Sequence, residues 1–388
     1  MSDHRIRRAQ SLATDGRRAA WKFHSAVTQP AMELVVFFCS SEYDLDALAA
    51  ELRRLFAGTQ LIGCTTAGEI GPEGCRTHSL TGASFAAGSC VAVSALLTDL
   101  RQFDIAEGHI LAQSLTQQIE SRVAQAIPEN CFAMLLIDGL STCEESVSHT
   151  LQQALGKIVL CGGSAGDDQK FSKPYVYYNG DFHSHGAVLL LVHTTLPFRV
   201  FKTQHFVSTE ERMVVTVADP SKRIVMEING RPASEEYARL LGMDVDSLGG
   251  IHFAASPVVV RIAGTDFVRA IQKANQDRSL TFFCAIDKGV VLRVAHGVDL
   301  AKNLEQTFRM IESQIGVPQR ILGFNCVLRD LEVARYRLND QVDTIFRCNN
   351  TVGFNTYGEQ FRGMHVNQTL TGIAIGDAAE TGKESDDA

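Results

Sequence analysis

The strongest constraint in this sequence is a change of hydrophobic period that recurs along the chain. "LVVFFCS" (34–40) is a continuous apolar run rich in Val and Phe, suited to a strand buried on both faces. "DLDALAAELRRLFAG" follows, with Leu45, Leu48, Leu52, Leu55 and Phe56 on one helical face, Asp44 placed to cap and Gly58 to stop it. "QLIGC" (60–64) returns to a strand, which predicts a parallel pair with a right-handed crossover. The same order recurs in "FAMLLIDG" (132–139), "EESVSHTLQQALG" (144–156) and "KIVLCGG" (157–163). From 174 the pattern changes to strands without helices. The last third supplies a hairpin over Asp287-Lys288-Gly289, a helix near 299–314 and the strands "ILGFNCVL" and "LTGIAIG". The fold class read from this is α/β, with mixed β-sheets flanked by helices.

"GCTTAGEI" (63–70) and "GFNTYGEQ" (353–360) share the pattern Gly-x-x-Thr-x-Gly-Glu and follow an apolar strand in both places. Glycines there permit backbone conformations closed to other residues, and Thr and Glu can tie the turn. The repeat predicts two related lobes with the turns in equivalent positions. Glu69 and Glu359 are expected to accept from backbone N–H groups of their own turns, which would lower their pKa and make them poor general acids.

The chain of 388 residues is long enough for two or three domains. The reading divides it into an N-terminal arm (1–30), a first domain (31–230), a second domain (231–377) and a polar tail (378–388). Hydrophobic residues make up 45% and charged residues 21%, the balance of a soluble globular protein. A net charge of −8 argues against broad binding to nucleic acid or an anionic membrane. The basic start "HRIRRAQSLATDGRR" lacks the apolar core of a signal peptide, and no run is long enough to span a bilayer, so the cytoplasm is the expected location. Ten cysteines sit mostly in apolar strands such as "VVFFCS" and "LTFFCAI", without Cys-x-x-Cys spacing. They read as reduced, buried thiols rather than disulfides or zinc ligands.

Catalytic signatures are missing where they would be expected. "GDAAETGKE" has one residue too many for a phosphate loop and Glu after the Lys. No His-Glu-x-x-His helix is present, and no triad assembles. "GGSAGDD" (162–168) is either a tight strand exit or a pocket wall that presents Asp167 or Asp168 to a ligand. An enzyme would have to be built on Glu69, Asp167, Asp168 and Glu359; the expectation is no enzyme. Among twelve histidines, His183 and His185 have strand spacing that suits a metal pair or a surface turn, while His205 and His365 read as structural or as ligands.

"LIGCTTAGEI", "CGGSAGDD", "FNCVLR" and "NTYGEQFRGMHVNQTLTG", taken in this order, resemble the signatures of the FIST sensory proteins, over about residues 31–377. The resemblance implies an N-terminal and a C-terminal FIST domain and a small-ligand sensor, with a pocket formed by Gly68, Glu69, Gly163, Asp167, Asp168, Thr356, Tyr357 and Glu359. Two-lobe members of this length resemble bacterial nitric-oxide-sensing haemoproteins. That implies haem b, one axial histidine, and as partner a histidine kinase, diguanylate cyclase or phosphodiesterase. His365, beside Gly363 and Met364 and with Asn367 and Gln368 near it, is favoured over His205 as iron ligand. Val366 departs from the family pattern, in which His directly precedes Asn-Gln-Thr. The alternative is a haem-independent sensor of an amino acid or another metabolite.

Overall fold

The computed structural model describes residues 5–124, 126–262 and 264–377. The polar tail expected at 378–388 lies outside them. The first unit runs through the strand Ile6–Ser11, helix Gly16–Val27, strand Met32–Ser40, helix Leu45–Leu55 and strand Gln60–Thr66. It ends in a short hairpin (Glu69–Gly71 and Gly74–Arg76) and the strand Leu80–Ala86. Residues 6–27, read from sequence as a solvated arm or early helix, supply a strand and a helix of this unit.

The same order of elements follows twice more. The second unit places helices Ile105–Arg122 and Glu144–Leu155 around the parallel strands Cys131–Asp138 and Val159–Ala165, then the hairpin Val176–Tyr178 and Asp181–His183. The third places helices Leu300–Ile315, Val327–Arg335 and Asn339–Cys348 around Arg320–Cys326 and Thr351–Thr356, then the hairpin Glu359–Phe361 and Met364–Val366. The two turn copies occupy equivalent positions, as expected, and the repeat extends to a third copy. Gly63, Gly162 and Gly353 hold the same place in the parallel register, opposite Phe37, Leu135 and Gly323. In the second unit the Thr, Gly and Glu of the turn are Ala165, Asp167 and Asp168, which hid the copy from a pattern search.

No unit completes its own sheet. The hairpin of the first pairs with the third unit (Ile70 opposite Gly353), that of the third with the second (Glu359 opposite Gly163), and that of the second with the first (Val176 opposite Cys64). Three six-stranded mixed sheets result. Their inner faces share one core, in which the Phe38, Phe324 and Phe354 ring centroids lie 4.7–6.2 Å apart. Helices cover the outer faces over separate apolar clusters.

Residues 206–297 interrupt the third unit with an eight-stranded antiparallel sheet that has a core of its own. Here one expectation fails. Leu280–Phe282 pairs with Ile224–Ile228 and Ile271–Ala274, whereas Val291–Gly297 pairs with Phe206–Asp219 and Val258–Ile262. Asp287-Lys288-Gly289 therefore passes from one part of the sheet to another and does not close a hairpin. Local turn chemistry lost to the longer-range pairing.

The repeated glycine is required by close approach of backbones. A Cβ at Gly162 would stand 1.9 Å from the Leu135 carbonyl oxygen, and one at Gly353 1.8 Å from that of Gly323. Gly162→Ala and Gly353→Ala are each expected to destabilise the protein by about 2 kcal/mol or more in urea unfolding, because the clash is with a strand that cannot move alone. Gly249→Ala, where nothing lies within 4 Å, should change stability by less than about 0.5 kcal/mol. Equal effects at the three sites would contradict this packing.

Candidate functional site

The three strand-exit turns meet at the carboxyl ends of the parallel strands and bond to one another in a ring. Ala67 N–H donates to Asn355 C=O (2.9 Å), Gly166 N–H to Thr65 C=O (3.0 Å), and Tyr357 N–H to Ser164 C=O (3.2 Å). Each donor is the equivalent residue of its unit, and so is each acceptor.

Glu69 and Glu359 are sealed beneath this ring, both at 0% exposure. Glu69 accepts from the Thr66 hydroxyl and, on its second oxygen, from Ser79 N–H (2.9 Å) and Ser79 Oγ (2.8 Å). Glu359 repeats this with the Thr356 hydroxyl and with Thr369 N–H and Oγ1. The expected backbone bonds therefore come from a residue ten positions later, not from within the turn. The expected drop in pKa is also reversed. Burial pushes Glu69 up to about 8 and Glu359 up to about 7, against the pull of their hydroxyl and N–H donors. Thr66 suits a protonated Glu69, since its own hydroxyl reaches the Cys39 carbonyl at 3.3 Å.

The second unit uses its acidic pair differently. Asp168 accepts from Ser40 Oγ, Ser41 N–H and Ser41 Oγ at 2.7–2.9 Å. Asp167 accepts the N–H groups of Phe171, Ser172 and Lys173 at 2.6–2.9 Å, and the Tyr357 hydroxyl. This folds 168–171 into a tight loop with Asp168, Gln169 and Phe171 at φ of 56°, 64° and 51°. Phe171 is thereby laid flat on Tyr357, with ring centroids 4.5 Å apart and planes 16° apart.

Phe171 forms part of the wall of a cavity of about 450 Å³ between the three-unit body and the inserted sheet. Leu140, Val327, Leu328 and Leu331 give it an apolar floor. Phe283, Gly250, Gln272 and Lys273 come from the insert, and Gln169 from the loop. The pocket residues expected from the resemblance stand one layer behind this lining. Asp167 and Tyr357 support it through Phe171. Gly68, Glu69, Gly163, Asp168, Thr356 and Glu359 hold the turns. A lone aromatic in the polar stretch "DDQKFSKP" was the one sequence signal for Phe171; the insert residues carried none.

The insert is fastened beside the cavity by Arg223. Its Nη2 donates to Glu144 and Glu145, both at 2.6 Å, and its Nη1 to the Phe283 carbonyl at 2.8 Å. At the root of the insert, His205 Nδ1 accepts from Arg329 Nη1 (2.9 Å) and Nε2–H donates to Glu332 (2.9 Å). Burial holds His205 below its usual pKa, which favours this neutral form. Arg329, 1% exposed, continues the chain to Asn325 and thence to Asn355 of the ring.

His365 lies under the insert at 3% exposure, its pKa lowered by burial. Its nitrogens are 3.4 Å from the Gln360 and Asn367 amides. The ring edge faces Gly358 so closely that a Cβ there would be 2.2 Å from Cε1. Neither His365 nor His205 lines the cavity, and His205 has both nitrogens engaged, so the cavity as arranged offers haem iron no axial histidine. His183 contacts the Tyr178 carbonyl while His185 faces Arg101 and Asp138, so these two do not form a metal pair. Among the described residues no group of three or more His, Cys, Asp or Glu could hold a metal ion. No helix among them is long and apolar enough to cross a membrane.

The two raised carboxyls set a pH dependence. Each binds its proton more tightly folded than unfolded, so its stabilisation is complete below the ordinary glutamate pKa of about 4.3. That stabilisation is lost as pH rises through about 7 for Glu359 and about 8 for Glu69. The melting temperature should fall between about pH 5 and about pH 8, and the double variant Glu69→Gln/Glu359→Gln should flatten that slope. An unchanged slope in the double variant would place the titration elsewhere.

The sequence matches the FIST N domain over residues 33–231 and the FIST C domain over residues 233–362. No curated protein matches it. Among solved structures, the crystal structure of a cyanuric acid hydrolase from A. caulinodans is 10% identical. It covers 96% of this chain and 99% of its own, with a TM-score of 0.37, a level that carries no argument about chemistry. FIST domains are small-ligand sensing domains of signal transduction, and this chain belongs to the FIST family.

Proposed function

We propose that the protein senses a small organic molecule in the cavity between the three-unit body and the inserted sheet, and that the seating of the insert reports occupancy to a signalling partner. The observation that carries this reading is the position of the cavity. It lies at the carboxyl ends of parallel strands, where open α/β sheets bind ligands, and its walls come from both bodies. A molecule that touches both sides stabilises one seating of the insert over others, and only such differential contact can shift an equilibrium. The partner suggested by the family resemblance is a histidine kinase or a cyclic-di-GMP enzyme.

The haem and nitric oxide reading requires His365 or His205 to leave its present partners, so the haem-independent reading is preferred. One experiment separates them. The purified protein, with and without haem reconstitution, is examined by absorption spectroscopy and by thermal unfolding against a metabolite panel. A ligand at a hundred times its Kd should add about 2.7 kcal/mol of stability. Leu328→Trp, which fills the cavity floor, should abolish that gain. A Soret band lost in His365→Ala or His205→Ala would instead establish the haem sensor.

A further inference from the structure

We propose that the cavity takes a flat aromatic monocarboxylate, its ring stacked on the open face of Phe171 and its carboxylate held by Lys273. The inference rests on the reading of the cavity as the sensory site and adds the chemistry of the ligand.

Three observations support it. Phe171 is 41% exposed although one face is already covered by the stack on Tyr357. Phe171 and Phe283 both line the cavity, with ring centroids 6.2 Å apart, while Tyr357 on the stacked face does not line it. A planar ring laid there continues the Tyr357–Phe171 stack, and offset-stacked aromatic pairs gain beyond the area they bury. The loop that presents Phe171 is fixed by four bonds to Asp167, so the face is held in place before any ligand arrives.

Charge is the second observation. Lys273 is the one charged side chain in the described lining, and among the described residues it makes no ion pair. No Asp or Glu joins the lining. An amine, or the ammonium group of an amino acid, would enter without a carboxylate to meet it. A phosphate or dicarboxylate would bring two charges to one cation over a floor of Leu140, Val327, Leu328 and Leu331. A single carboxylate balances Lys273, and the Gln169 and Gln272 amides offer it hydrogen-bond donors.

Size is the third. A cavity of about 450 Å³ is at the small end of ligand pockets, and suits one or two fused rings.

The test is calorimetric titration of the full chain with 2-naphthoate, 2-naphthamide, cyclohexanecarboxylate and 2-naphthylmethylamine. The wild type should bind 2-naphthoate about tenfold or more tighter than the amide, which lacks the charge-assisted bond. Lys273→Met should remove that difference and leave the amide unchanged. Phe171→Leu should weaken 2-naphthoate and 2-naphthamide and leave cyclohexanecarboxylate unaffected. If the amide or the amine binds as tightly as the carboxylate, or if Lys273→Met is silent, the proposal is overturned. The sensor reading then still stands as long as Leu328→Trp blocks binding. If Leu328→Trp leaves binding of every probe intact, the cavity reading itself fails. If no carboxylate binds, this ligand class is wrong, and a metabolite that stabilises the wild type but not Leu328→Trp keeps the sensor reading.

Discussion

Three backbone hydrogen bonds, from Ala67 to Asn355, from Gly166 to Thr65 and from Tyr357 to Ser164, tie the three units at one point. Because each unit both gives and receives, the ring closes only when all three are folded. Exchange of the hairpins imposes the same condition on the sheets, since every six-stranded sheet borrows its edge from another unit. The buried turns leave no room for an unpaired N–H or C=O. Thr66 with Glu69, and Thr356 with Glu359, fill the space behind the ring and satisfy what the backbone leaves over.

Once the ring is fixed, the site follows from a departure in the second unit. Asp167 stands where the other turns have Gly68 and Gly358, and an aspartate there reaches three successive N–H groups that a glycine would leave to water. The chain is thereby diverted into the loop that carries Phe171. At this place Thr65 N–H bonds to Tyr175 C=O rather than to the turn residue itself, whereas Asn355 and Ser164 bond to Gly68 and Gly358. The symmetry is thus broken at the turn that supplies the cavity wall. The insert closes the other side, latched by Arg223 and rooted in the buried Glu332–His205–Arg329–Asn325 chain. A buried arginine of this kind is weak evidence for stability, but removing one partner leaves a charge without compensation. The network therefore couples this seating of the insert to the ring.

Much of the scaffold was legible in the sequence because periodicity and capping are local. Asp44 caps its helix through Ala47 N–H, and the strands 34–40 and 60–66 pair in parallel as their apolar runs required. The two Gly-Glu turns marked real equivalence. The third copy was hidden because Ala165 and Asp167 keep the backbone path while losing the side chains that make the pattern. The edge role of Ile6–Ser11, the exchange of hairpins and the failed hairpin at Asp287-Lys288-Gly289 are long-range pairings, which local signals do not encode. For the site, the sequence drew attention to conspicuous carboxylates, but Glu69 and Glu359 are drawn inward by hydroxyl partners. Phe283 and Lys273 reach the cavity only through the docking of the insert.

The central claim is that the three turns form one cooperative structure, and native-state hydrogen exchange at Ala67, Gly166 and Tyr357 tests it most directly. All three N–H groups should exchange only through global unfolding, with the same free energy and the same dependence on denaturant. Exchange of Gly166 by local opening, at lower free energy than Ala67 and Tyr357, would contradict the ring and leave the second unit as an independently folding element.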